Sequence, residues 1–133
     1  MTLFEELIEL LLPHDVIIET SQKTEELFHL FVEAYPVTSW GRVDWKLIRE
    51  QYSIASVEEA IEILDSKLDE SINQQVRLLW NYSDAPSVRV SLKQVVDHID
   101  DVTAVGSDTW LIGPNFSFVI EIFHEGGIKL GFR

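Results

Sequence analysis

The chain reads as an α+β fold, with N-terminal helices packed on a C-terminal antiparallel β-sheet, in one domain spanning residues 1–133. Three observations predict it. Apolar residues recur at helical spacing up to about residue 68. After Asn73 the pattern changes to short branched and aromatic runs, and turns containing Gly or Pro separate most of them. One helical stretch interrupts the strands, so helices and strands are largely segregated rather than alternating.

The first helix runs from about Thr2 to Leu12, with Leu3, Leu7, Leu10 and Leu11 on one face and Pro13 as its stop. Thr2 with Glu5 is the pattern of a capping box. Val16 to Ile18 suits a short strand. A second helix covers Ser21 to Ala34, with Leu27, Leu30, Phe31 and Ala34 as its stripe, acids near its start and Pro36 beyond its end. Trp40 to Asp44 is irregular and reads as a loop or short strand. Ser56 with Glu59 opens a third helix, in which Val57, Ile61, Leu64 and Leu68 form one buried face.

Gln75 to Tyr82 reads as a strand and Ser83 to Ser87 as a turn. Ser91 with Gln94 opens a short helix to about Ile99, turning Leu92, Val95, Val96 and Ile99 inward. Val102 to Val105, Thr109 to Ile112, Phe116 to Phe123 and Ile128 to Phe132 follow as strands. In the last hairpin Phe116, Phe118, Ile120, Ile122 and His124 share a face, as do Ile128, Leu130 and Phe132. A three-residue loop, Glu125-Gly126-Gly127, would pair His124 with Ile128, Ile122 with Leu130 and Ile120 with Phe132, with Gly supplying the left-handed position.

Charge separates the function classes. The chain has 23 Asp and Glu against 10 Lys and Arg, a net charge of −13. Residues 1–75 hold 16 acids and 5 bases, residues 76–133 hold 7 and 5. Such a surface repels nucleic acid and anionic lipid, so neither is an expected partner. An apolar fraction of 46% is too high for a disordered acidic tail. No cysteine is present, which suits a reducing compartment. No stretch approaches the roughly 20 apolar residues of a membrane span, and Glu5, Glu6 and Glu9 break up the N-terminal apolar run that an export signal would need. A cytoplasmic location is expected.

Four constellations bear on function. Glu58, Glu62, Asp65 and Asp69 repeat the spacing of the buried face one residue on, as an acidic ridge relieved only by Lys67. It reads as a solvated face or as a docking ridge for a basic partner. Asp97, Asp100 and Asp101, placed at a helix C-terminus, and Asp108 in the following loop match no metal-binding loop, and contact with a partner is the functional alternative to solvation. His124 beside Glu125 and Glu121 suggests acid–base chemistry, but strand phase puts His124 on the core face and Glu121 on the other. Of Trp40, Trp45, Trp80 and Trp110, Trp40 alone sits in an irregular segment beside Gly41 and Arg42, where an interface anchor would be found. No nucleophile motif is present. Catalytic residues, metal and cofactor are all expected to be absent.

Asp108-Thr109-Trp110-Leu111-Ile112, Phe118-Val119-Ile120-Glu121 and His124-Glu125-Gly126-Gly127-Ile128 leading to Gly131 resemble the C-terminal sheet of small bacterial immunity proteins. These are the cytoplasmic antidotes encoded beside contact-dependent and other polymorphic toxins. The resemblance covers about the last 35 residues and implies a small, acidic, non-enzymatic protein that occludes the active site of a basic toxin domain, a nuclease above all. Transfer of site residues does not follow from it. The expected partner-binding residues are those of the charge pattern, Glu58, Glu62, Asp65, Asp69, Asp100, Asp101 and Asp108, with Trp40. Three alternatives stay open. They are a DNA-mimic inhibitor, a regulatory module pairing with a second copy through a sheet edge, and a metal-dependent hydrolase in which Asp97, Asp100, Asp108 and His124 would converge.

Overall fold

The computed structural model describes residues 1–68, 73–81 and 83–133. Among the described residues five α-helices, α1 (Leu3–Leu11), α2 (Ser21–Ala34), α3 (Val57–Leu68), α4 (Leu92–Asp97) and α5 (Ile99–Thr103), accompany seven strands. The strands are β1 (Ile17–Ile18), β2 (Glu50–Ile54), β3 (Gln75–Asn81), β4 (Val88–Ser91), β5 (Asp108–Ile112), β6 (Phe118–Ile122) and β7 (Ile128–Phe132). They form one sheet in the order β1-β4-β3-β5-β6-β7-β2, and each neighbouring pair is antiparallel. The α+β class read from the sequence is the observed one.

Local chemistry fixes the helix starts. Thr2 Oγ1 accepts from Glu5 N at 3.1 Å and Glu5 returns the bond to Thr2 N, a complete capping box. Thr20 Oγ1 accepts from Lys23 N ahead of α2. At α3, Ser56 Oγ accepts from Glu59 N, but the Glu59 carboxylate reaches back to Ala55 N rather than to Ser56. At α4, Ser91 Oγ accepts from Gln94 N, whereas Gln94 Oε1 finds no partner among the described residues.

The sheet is covered on both faces, which strand alternation in the sequence did not reveal. Leu7 and Leu11 of α1, Val57, Ile61 and Leu64 of α3, Leu92 and Val95 of α4 and Val102 of α5 pack on Leu78, Trp80, Leu111, Ile120 and Leu130. On the other face Leu27 and Phe31 of α2, with Tyr35, Val43, Trp45 and Ile48 of the segment after it, pack on Leu79, Trp110, Ile112 and Val119. The Phe31 and Trp110 rings lie 4.8 Å apart. Gly131 makes room for this second layer, because a Cβ there would stand 2.6 Å from Trp45 Cζ3.

Four expectations need correction. Residues 102–105 do not form a strand. Val102 enters the core from α5, and its carbonyl accepts from Trp80 Nε1 at 2.8 Å. Strands β2 and β4 were not expected, since Glu50–Ile54 is half-buried at an edge and Val88–Ser91 runs straight into a helix cap. Of the helix stripes, Leu7 and Leu11, Leu27 and Phe31, and Val57, Ile61 and Leu64 are buried, but Leu3, Leu10, Leu30 and Leu68 are exposed. The last hairpin pairs Ile122 with Ile128, Ile120 with Leu130 and Phe118 with Phe132, two residues from the expected register. Its loop does have three residues, His124-Glu125-Gly126, because Phe123 N donates to Gly127 O and Gly126, at φ 101°, donates to Phe123 O. A shift of two keeps every side chain on its expected face, so the pattern alone did not distinguish the registers.

Candidate functional site

The two helical layers carry very different charge. The layer made by α1, α3, α4 and α5 holds ten acids (Glu5, Glu6, Glu9, Glu58, Glu59, Glu62, Asp65, Asp97, Asp100 and Asp101) against Lys67 and Lys93. Residues 21–49, which cover the opposite face, hold Glu25, Glu26, Glu33 and Asp44 against Lys23, Arg42, Lys46 and Arg49, and are neutral. Both bases of the acidic layer are already engaged. Lys93 pairs with Asp97 at 2.9 Å. Lys67 pairs with Glu50 of β2 and lies over the Tyr52 and Phe132 rings. Its hydrogen bond holds the Glu50 carboxyl below its ordinary value.

The expected partner-binding residues separate into three groups. Glu58, Glu62 and Asp65 lie exposed on α3, and Asp100 and Asp101 are exposed in the first turn of α5. None of these five carboxylates is bonded to a described residue, so their charge faces water uncompensated. The two aspartates open a helix rather than close one, which makes their placement favourable instead of costly. Asp69 lies outside the described residues. Asp108 is no surface group: it is 2% exposed, and its Oδ1 accepts from His124 N at 3.1 Å and lies 3.0 Å from His124 Nδ1. Trp40 is 67% exposed, but it belongs to the segment on the neutral face, apart from the acids.

Two buried carboxylates organise the rest of the molecule. Glu121, 1% exposed, accepts from Val43 N at 2.8 Å, Trp45 Nε1 at 2.9 Å, Arg42 Nε at 3.0 Å and Trp110 Nε1 at 3.0 Å. The Arg42 guanidinium lies 3.8 Å from the Phe123 ring centroid. Glu121 thereby fastens the irregular 42–45 segment to the sheet. Strand phase placed Glu121 on the face away from the core, named beside His124 for acid–base chemistry and not as a structural group. The signal was the Phe-Val-Ile-Glu-Ile-Phe run itself, apolar on both phases, in which one acid must find partners inside. His124 was expected at the rim of the core and sits instead in the hairpin loop, about half exposed.

Glu19 is the second such group. It accepts from Arg77 through two bonds of 2.9 and 2.8 Å and from Ser87 Oγ at 2.9 Å, with Arg89 Nε 3.4 Å away. Burial pushes its pKa up most strongly, yet the bonds and charges of Arg77, Ser87 and Arg89 together outweigh burial and hold it below its ordinary 4.5. A depressed carboxyl contributes stability that is complete above its unfolded value and is lost as pH falls through its folded one. Glu19→Gln is therefore expected to lower the urea midpoint at pH 7 and to flatten its fall between about pH 5 and pH 3. An unchanged acid limb would show the cluster to be electrostatically idle.

Among the described residues no group of three or more His, Asp or Glu is placed to hold a metal ion. Asp108 and His124 do meet, beside a cavity of about 240 Å³ lined by Thr103, Gly106, Ser107, Ile122 and Phe123. Among the described residues no helix is long and apolar enough to cross a membrane. Against known proteins, a family model described as CdiI immunity protein, EcoliA0-like, matches residues 1–131. No curated protein matches the chain.

Proposed function

The chain belongs to the family of EcoliA0-like CdiI immunity proteins, and we propose that it neutralises its toxin by laying the acidic helical layer over a basic, nucleic-acid-binding active site. The observation that carries this reading is the polarity of the fold, ten acids against two engaged bases on one side of the sheet and balance on the other. Like charges at i and i+4, as at Glu58 and Glu62, cost a few tenths of a kcal/mol per pair in the free helix, a cost that a cationic partner removes. Glu58, Glu62 and Asp65 on α3, with Asp100 and Asp101 on α5, would occupy positions that substrate phosphates take on the toxin. Inhibition would be stoichiometric binding without turnover, in the cytoplasm.

The test is capture of the partner from source-cell lysate at low and high salt, identified by mass spectrometry, followed by assay of the purified partner on DNA and RNA. The expected result is one basic protein, retained at low salt, whose nuclease activity stops at one equivalent of this chain. A toxin that carries no nuclease activity, or one held equally at both salts, would contradict the proposal while leaving the family assignment intact.

A further inference from the structure

The neutral face contains a second cavity, of about 360 Å³, between the β3 and β4 arginines and the turn after β5. Its charge is opposite to that of the molecule. Arg77 and Arg89 line it together with Gln74, Gln75 and Asn115, and no carboxylate is among its lining residues. Glu19 does not exhaust the two guanidinium groups. It takes Arg77 Nε and Nη2 and stands 3.4 Å from Arg89 Nε, which leaves Arg77 Nη1 and both terminal nitrogens of Arg89 without a hydrogen bond to any described residue. Arg89 is 44% exposed at its side chain, whereas Glu19 is 1% exposed, so the unspent positive charge is the part a ligand can reach.

The opposite wall is apolar, with Leu27, Ile112, Pro114 and Phe116. Its rim holds two consecutive residues in the left-handed region, Asn115 at φ 53° and Phe116 at φ 58°. Asn tolerates that conformation, but a bulky aromatic adopts it only where its surroundings hold it there. Here the holding contact is the Tyr35 hydroxyl, which donates to Phe116 O at 2.7 Å. The strained turn fixes Phe116 along the cavity wall opposite the arginines.

We propose that this cavity binds a free organic anion. Its carboxylate or phosphate head lies against Arg77 and Arg89, and its flat apolar body lies on Ile112, Pro114 and Phe116. Charge-assisted bonds from a planar guanidinium fork give an oxyanion its orientation. The volume falls within the range of small-molecule sites and is too large for a bare inorganic ion to fill. Because the cavity lies on the neutral face, its occupation is independent of the toxin-docking proposal.

The experiment is an amide-resolved NMR titration of the full chain with benzoate, phenyl phosphate and inorganic phosphate. Saturable shifts confined to residues 74–77, 89 and 112–116 are expected for the two aromatic anions, with a Kd below about 1 mM. Arg89→Gln should weaken both at least about tenfold, the loss of one charge-assisted contact. Arg89→Lys, which keeps the charge and removes the fork, should fall between the two. Thermal unfolding of each variant checks that the fold is intact. No saturable shift up to about 10 mM would overturn the proposal, as would inorganic phosphate binding as tightly as phenyl phosphate, or wild-type affinity in a folded Arg89→Gln.

Discussion

Glu121→Ala is expected to be the most destabilising single substitution in this chain, costing about 3–5 kcal/mol, because it removes one side of a buried ion pair and leaves the donors that met it without an acceptor. Those donors are Arg42, the Val43 amide and the indoles of Trp45 and Trp110. Against a stability of about 5–15 kcal/mol for a domain of this size, the loss is a large share of the total and should lower Tm by about 10 °C or more. Glu121→Gln should cost less but remain damaging, since an amide nitrogen would then face N–H donors. Thermal unfolding followed by tryptophan fluorescence reads both the midpoint and the local change, as two of the four indoles donate to this carboxylate. A change below about 1 kcal/mol, the value of an ordinary solvated hydrogen bond, would show that the cluster does not hold the second layer in place.

The second large effect concerns association. Replacing Glu58, Glu62 and Asp65 together with Asp100 and Asp101 by their amides changes the net charge from −13 to −8 while touching no buried group. Electrostatic steering raises association rates from about 10⁵–10⁶ M⁻¹s⁻¹ to as much as 10⁸–10⁹ M⁻¹s⁻¹ at low salt. The five-fold variant should therefore bind its toxin about 10 to 100 times more slowly at low salt. Its rate should also depend less on ionic strength, while Tm stays level or rises as like-charge repulsion is relieved. Stopped-flow mixing at two salt concentrations measures this. An unchanged on-rate would place docking elsewhere.

Where one physical rule decides an element, the sequence was enough. Thr2 with Glu5 and Pro13 set α1, and the acids near its start with Pro36 beyond its end bounded α2 as Ser21–Ala34. The faces of β6 and β7 followed from alternation. What alternation did not show is whether the second face of a strand meets water or another layer, and here α2 with the chain after it covers that face. That one omission explains why Glu121 was placed away from the core. Asp108 was misjudged for a related reason: it looked like a loop residue, but β5 begins with it and the His124 loop folds over it. Val102 to Val105 alternate like a strand, yet Asp100 and Asp101 just ahead favour a helical turn and Val102 is buried by one. The α3 acids were legible because helical spacing puts them about 100° from the buried face. Their union with the acids of α1 and α5 in one layer is tertiary, and no local pattern contains it.

Hydrogen–deuterium exchange of the chain, free and in complex with its captured toxin, tests the docking surface most directly. Slowed exchange is expected in α1, α3 and α5, with little change across residues 21–49 on the neutral face. Protection centred on residues 21–49, with α3 and α5 exchanging as in the free chain, would contradict docking through the acidic layer.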